Sequence, residues 1–218
     1  TVRRMSEKIP VTNSPITRWW WVRHAPVTQN QERLYGSSDI PAEINAPSTF
    51  KALALLLPTR AISVRSALQR TQQTLDAIIA AGLDAPGPLI EPDLSEQNFG
   101  DWHGHPYADI PALAAPHHHR FWFTSVDHRP PGGESYIDLT QRVTAVIDRL
   151  SRTHSGRDII AVAHGGTIRS ALGYALGLQP ANCHGFQIDN LSVTRIDHEP
   201  GPGPDRQWRI VYTNVVPT

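Results

Sequence analysis

The sequence predicts an α/β protein, a three-layer α/β/α sandwich around a mixed, mainly parallel sheet. Three observations carry this. Two strongly apolar runs, Trp19 to Val22 and Ile159 to Ala163, each lead to a histidine, and each reads as a buried strand that turns into a loop or helix. Segments of helical periodicity alternate with strand signals, the pattern of a parallel sheet covered on both faces. The last strand signals have no helix between them, which predicts an antiparallel edge.

Strands are expected at Arg18 to Arg23, Ala61 to Arg65, Asp158 to Ala163, Gly185 to Asp189, Leu191 to Asp197 and Trp208 to Thr213. The helix over Pro47 to Leu57 has its proline early. For Ser66 to Ala81, Ser66 and Gln69 form a capping-box pair and Gly82 is the stop. Ser135 to Arg152 has the clearest apolar stripe, Leu139, Val143, Val146, Ile147 and Leu150, with Ser135 as cap. Thr167 to Leu176 follows, with Gly177 as its stop. The triple tryptophan, Trp19 to Trp21, alternates faces on its strand and is expected to pack on both sides of the sheet. Asn98 to Gly133 resists this scheme. Rich in Pro, Gly and His, it reads as an insertion over the sheet with one or two short helices, the kind of segment that forms substrate lids.

Bulk properties narrow the function. At 218 residues the chain is long enough for one sizeable core. Its 20 basic and 20 acidic residues balance, which argues against a nucleic-acid or general polyanion binder. The lone cysteine, Cys183, excludes an intrachain disulfide or a cysteine-built zinc cage, and reads as a buried residue without chemistry. No run reaches the roughly 20 apolar residues of a membrane span. Residues 1–17 read as a polar arm without a signal peptide, and 18–218 as one domain with its insertion at about 98–133. The expected location is cytoplasmic.

The chemistry gathers at strand ends, where ligands bind in open α/β sheets. Arg23 and His24 end the first strand. Arg70 sits in the first turn of the helix after the second. His164 ends a third, and the amides of Gly165 and Gly166 open the next helix. Helix N-termini and arginine forks both suit phosphate oxygens. A histidine beside such a site is available as a covalent nucleophile.

These residues carry a resemblance to the histidine phosphatase superfamily, in its phosphoglycerate mutase-like branch, over Trp19 to Thr213. The Arg-His-Gly motif stands here as Arg23-His24-Ala25, with Asn30 six residues past the histidine. Ser66 to Thr74 matches Ser-x-x-x-Arg-(Ala/Thr)-x-x-Thr. Leu94 to Gly104 matches Leu-x-Glu-x-x-Phe-Gly-x-Trp-x-Gly, and Pro131 to Ser135 reads Pro-Gly-Gly-Glu-Ser. The second histidine motif is His164-Gly165-Gly166-Thr167-Ile168-Arg169. The resemblance implies a cofactor-independent phosphomonoesterase. His24 would be the phosphorylated nucleophile. Arg23, Arg70 and His164 would clamp the phosphoryl oxygens, with the Gly165 amide and Asn30 assisting. Glu96 would protonate the leaving oxygen and then activate water. The implied partner is a small phosphorylated substrate, without metal, nucleic acid or membrane. Tyr35 to Pro41 also resembles a Tyr-Gly-x-x-Asp-x-Pro pattern of α-ribazole phosphatases. A mutase using the same residues, or a phospho-ligand binding module without turnover, are the alternatives.

Ala25 and His103 depart from the family pattern, which more often has Gly and Glu there. His103 is expected within reach of substrate but not as a catalyst. Glu134 beside the cap Ser135 reads as a structural acid at a helix start. His117, His118 and His119 read as a solvated stretch rather than a metal site, since no matching ligand spacing surrounds them.

Overall fold

The computed structural model describes residues 15–201 and 207–218. Six strands form one sheet: β1 (Thr17–Arg23), β2 (Ile62–Arg65), β3 (Leu89–Ile90), β4 (Asp158–Ala163), β5 (Val193–His198) and β6 (Trp208–Val215). Their order is β3-β2-β4-β1-β5-β6. The first four in that order are parallel, and β5 and β6 run antiparallel at one edge, as the missing helices required. The expected N-terminal arm lies, through residue 14, outside the described residues, and β1 already includes Thr17.

Helices cover both faces. Trp19 and Trp21 stack at 5.0 Å and pack with Leu139, Val143 and Ile147 of α4 (Tyr136–Thr153) and Ile168 and Leu172 of α5 (Gly165–Leu176). Trp20 faces the opposite layer, with Phe50 and Leu53 of α1 (Pro47–Leu56) and Leu75 and Ile78 of α2 (Gln69–Ala80). The buried indoles find polar partners: Trp19 donates to Ser151 Oγ at 2.9 Å and Trp20 to Asp158 Oδ1 at 3.0 Å. Ser135 caps α4 in a capping box with Asp138. Gly177, left-handed at φ 68°, stops α5.

Two expectations need correction, and one strand was not among those expected. Helix α2 begins at Gln69, not Ser66, and the Ser66–Gln69 capping box is not formed. The Ser66 hydroxyl goes instead to His164 and Thr71. Gly185 to Asp189 is not a strand. Its carbonyls Phe186 O and Ile188 O receive arginine side chains rather than a neighbouring strand. The short edge strand β3, exposed and only two residues long, gave no period to detect.

The insertion is mostly irregular. It has 3-10 turns at Gly100–Trp102 and Tyr107–Asp109 and the short helix α3 (Ile110–Leu113). Phe99, Trp102, Ile110 and Ala114 bury against Leu34 to give it a small core of its own. Further on, α6 (Pro180–Cys183) precedes the turn to β5. Among the described residues no helix is long and apolar enough to cross a membrane.

Candidate active site

Strand register brings the two histidines together. β1 and β4 are parallel with Arg23 opposite Ala163, so the next residues, His24 and His164, leave the sheet side by side. The His24 N–H donates to Ala163 O at 3.0 Å, and the two rings lie 5.1 Å apart. Both are buried.

The hydrogen bonds of His24 define its tautomer. Nδ1 lies 2.7 Å from the carbonyl oxygen of Ala25. A carbonyl only accepts, so Nδ1 carries the proton and Nε2 keeps its lone pair. Burial, then the charges of Arg70 and Arg23, hold His24 well below the ordinary imidazole range. His164 is lowered in the same way, by burial first and then by Arg70. His164 Nδ1 accepts from Arg70 Nε at 3.3 Å, and its Nε2 meets Ser66 Oγ at 2.8 Å.

Arg70, on the first turn of α2, is fully buried. It also donates to Gly36 O at 2.6 Å and Ser38 O at 2.7 Å, and its guanidinium lies over Tyr35. Asp39 in turn receives the Gln69 N–H at 2.7 Å. The Tyr35 to Pro41 segment therefore aims this arginine. Arg23 is anchored differently, by a single bond to Ile188 O at 2.6 Å. Its buried Nε has no partner among the described residues.

Glu96 stands at the N-terminus of α5. Its Oε2 accepts from Gly166 N at 3.1 Å and its Oε1 from Gln97 N at 3.0 Å. Arg142 of α4 secures this stretch. It bonds the carbonyls of Asp93, Ser95 and Glu96 and both carboxylate oxygens of Glu134, a use for all five of its N–H groups. Glu134 is thus a structural acid, bound also by Asn98 N at 2.9 Å. Arg142 is saturated, while Arg23 has donors to spare.

A cavity open to solvent adjoins this centre. Arg23, Glu96 and Gly165 line one side. Leu34, Tyr35, Phe99, Tyr107, Trp122 and Phe123 supply an apolar wall, most of it from the insertion. Arg169 completes the lining. The motif that carries it is plain in the sequence, but its approach to Trp122 is not, because no local pattern links the two residues. Asn30 is not part of the lining: its amide donates to Arg33 O at 3.1 Å. His103 is occupied too, its Nε2 accepting from Phe99 N at 3.2 Å. The histidine stretch diverges, His117 stacking on His128 at 4.5 Å and His119 meeting His184 at 5.0 Å. Cys183 is buried.

Residues 19–214 match the model of the histidine phosphatase superfamily, branch 1. A bifunctional protein of Mycobacterium tuberculosis is 29% identical over 202 residues, covering 86% of this chain and 55% of that one. The chain thus spans about half the length of the first relatives it matches. The adenosylcobalamin/alpha-ribazole phosphatase of Escherichia coli is 27% identical over 186 residues, covering 83% of this chain and 89% of that protein. The native structure of a mycobacterial glucosyl-3-phosphoglycerate phosphatase superposes with a TM-score of 0.76 at 26% identity, covering 91% of this chain and 99% of the other. With its strand-end histidines adjacent and nearly its whole length matched, the chain belongs to the histidine phosphatase superfamily, branch 1.

Proposed function

We propose that this protein hydrolyses a small phosphorylated metabolite through a phosphohistidine formed on His24. The observation that carries the reading is the Nδ1–H of His24 held on Ala25 O. It leaves Nε2 as a lone-pair nucleophile, and burial between arginines keeps the ring neutral.

In the first step His24 Nε2 attacks phosphorus and the ester P–O bond breaks. Glu96 gives its proton to the departing alcohol oxygen. In the second step Glu96, now a carboxylate, takes a proton from water as that water attacks the phosphohistidine. The P–N bond breaks, inorganic phosphate leaves and both residues are restored. Arg23, Arg70 and the Gly165 N–H are assigned to the phosphoryl oxygens, where charge builds during transfer, and His164, which accepts from Arg70 and meets Ser66, is assigned to holding Arg70 beside them. Asn30, whose side chain also bonds Tyr107 of the cavity wall, is assigned to the substrate from that edge.

The relatives that carry phosphatase names support the reading, and an open cavity favours water as the acceptor over return of the phosphoryl group to a second substrate. The test is a quenched reaction with a labelled phosphomonoester. Acid-labile, base-stable label should sit on His24 and be absent from His24→Ala, with inorganic phosphate as the released product. Turnover that persists in His24→Ala would remove the assignment.

A further inference from the structure

Arg169 has an unusual position for an arginine with no assigned role. It sits one turn into α5, and its Nε donates to Phe186 O at 2.7 Å. Its guanidinium lies over the Trp122 ring at 5.0 Å, on the lining of the cavity. Its remaining four N–H groups have no acceptor, and no carboxylate pairs with it, among the described residues. An arginine built into a cavity wall with its fork unfilled is prepared for an anion from outside.

A side chain at Gly165 would meet Arg169 Nη1 at 3.3 Å and Arg23 Nε at 3.7 Å, so those two nitrogens lie no more than 7.0 Å apart. The two forks are close enough for one substrate to span them. They do not serve the same point. Arg23 and Arg70 are the charges that depress His24, and Arg169 is not among them. Arg169 interacts with Glu96, as Arg70 also does, and Glu96 is the proposed donor to the leaving group.

We propose that Arg169 is a second anion receptor, and that the preferred substrates are phosphomonoesters whose alcohol carries a ring and a further carboxylate or sulfonate. The proposal rests on the phosphomonoesterase reading. The ring follows from the wall: Tyr107 and Phe123 are stacked at 5.8 Å beside Trp122, a surface that suits a flat partner.

The test compares 3- and 4-carboxyphenyl phosphate with the neutral carbamoylphenyl phosphates of the same shape. Wild-type kcat/KM should favour the carboxylates for at least one isomer by about tenfold or more, the scale of a charge-assisted hydrogen bond. Arg169→Gln should collapse that ratio toward one, and Arg169→Lys should restore part of it. Two results overturn the proposal: equal kcat/KM for both esters in the wild type, or a ratio that survives Arg169→Gln. A loss shared equally by both esters, with inhibition by inorganic phosphate weakened in step, would place Arg169 in the phosphoryl clamp instead. Absence of phosphate release from every ester would sink the phosphomonoesterase reading itself. Circular dichroism of each variant separates misfolding from these outcomes.

Discussion

The main-chain N–H of Gly166 donates to Oε2 of Glu96 at 3.1 Å, while the N–H of Gln97 holds Oε1. A side chain at position 166 would collide with that carboxylate, so the glycine is required by close approach. Glu96 is thereby fixed one residue from Gly165, whose own N–H is assigned to the phosphoryl group. Acid and anion site share one helix N-terminus, and the proton need travel only a short way.

Replacing Glu96 tests this directly. Glu96→Gln removes the proton and turns one acceptor oxygen into an NH2 group facing a main-chain N–H. Phosphorylation of His24 by alkyl phosphates should slow on the order of a hundredfold or more. Nitrophenyl phosphate, whose leaving group needs no proton, should slow far less. The burst phase must be read apart from steady turnover, because the second step loses its base as well. Equal slowing of the burst for both esters would make Glu96 a positioning group.

Trp122 should act on the same step from a distance. Its indole N–H donates to Gln97 Oε1 at 2.9 Å, and Gln97 is fully buried next to Glu96. Trp122→Phe keeps a ring under Arg169 but leaves that amide oxygen unpaired, at a cost of about 1–3 kcal/mol in stability. The burst with alkyl phosphates should fall more than the burst with nitrophenyl phosphate, the same sense as Glu96→Gln. A uniform fall, or a change in KM alone, would limit Trp122 to lining the cavity.

Acid should destabilise the fold before the carboxylates titrate. Burial, with neighbouring charge, holds His24 and His164 well below the ordinary range, and burial brings His184 down to about 3. Neither nitrogen of His184 has a hydrogen-bond partner among the described residues, and its ring stacks on Trp122. Folded, these rings stay neutral below the unfolded value of about 6.5. The unfolded chain then binds more protons, so stability is complete above that pH and is lost as pH falls through it. Each histidine contributes up to about 1.4 kcal/mol per pH unit. Urea midpoints should be level from pH 8 to 7 and drop between 6.5 and 5. In His184→Phe, which keeps a ring on Trp122, the drop should be shallower. Level midpoints down to pH 5 would contradict the argument.

Activity should not depend on a metal ion. Two guanidiniums, those of Arg23 and Arg70, flank the proposed phosphoryl site and supply the charge that a divalent cation would otherwise bring. Turnover should survive excess chelator, and vanadate should inhibit. Loss in chelator that a divalent ion restores would reverse this expectation.

What the sequence revealed and what it hid follow from range. His24 and His164 were legible because each ends an apolar run, and parallel strands in register need nothing more to pair their ends. The apolar stripe of α4 and its Ser135 cap are equally local. Ser66 misled because a serine three residues before a glutamine fits a capping box, whereas a histidine 98 residues away claims its hydroxyl. Gly185 to Asp189 has the composition of a strand, yet its carbonyls serve Arg169 and Arg23. The aromatic wall and Arg169's place on it depend on how an irregular insertion folds back, and no period encodes that.

The position of β1 in the sheet governs the order in which this molecule is completed. Its neighbours are β4 and β5, so Thr17 waits for His198 and Arg18 for Asp158. A chain emerging from the ribosome carries its three consecutive tryptophans without either partner strand until Asp158 to Ala163 has followed. Such distant pairings pay their loop entropy before any contact repays it, which makes them slow and leaves sticky surface uncovered meanwhile. The centre strand thus closes late, and His24 gains its neighbours only then. A nascent fragment has no partial version of this chemistry, and chaperone demand should fall on the interval before β5 is released.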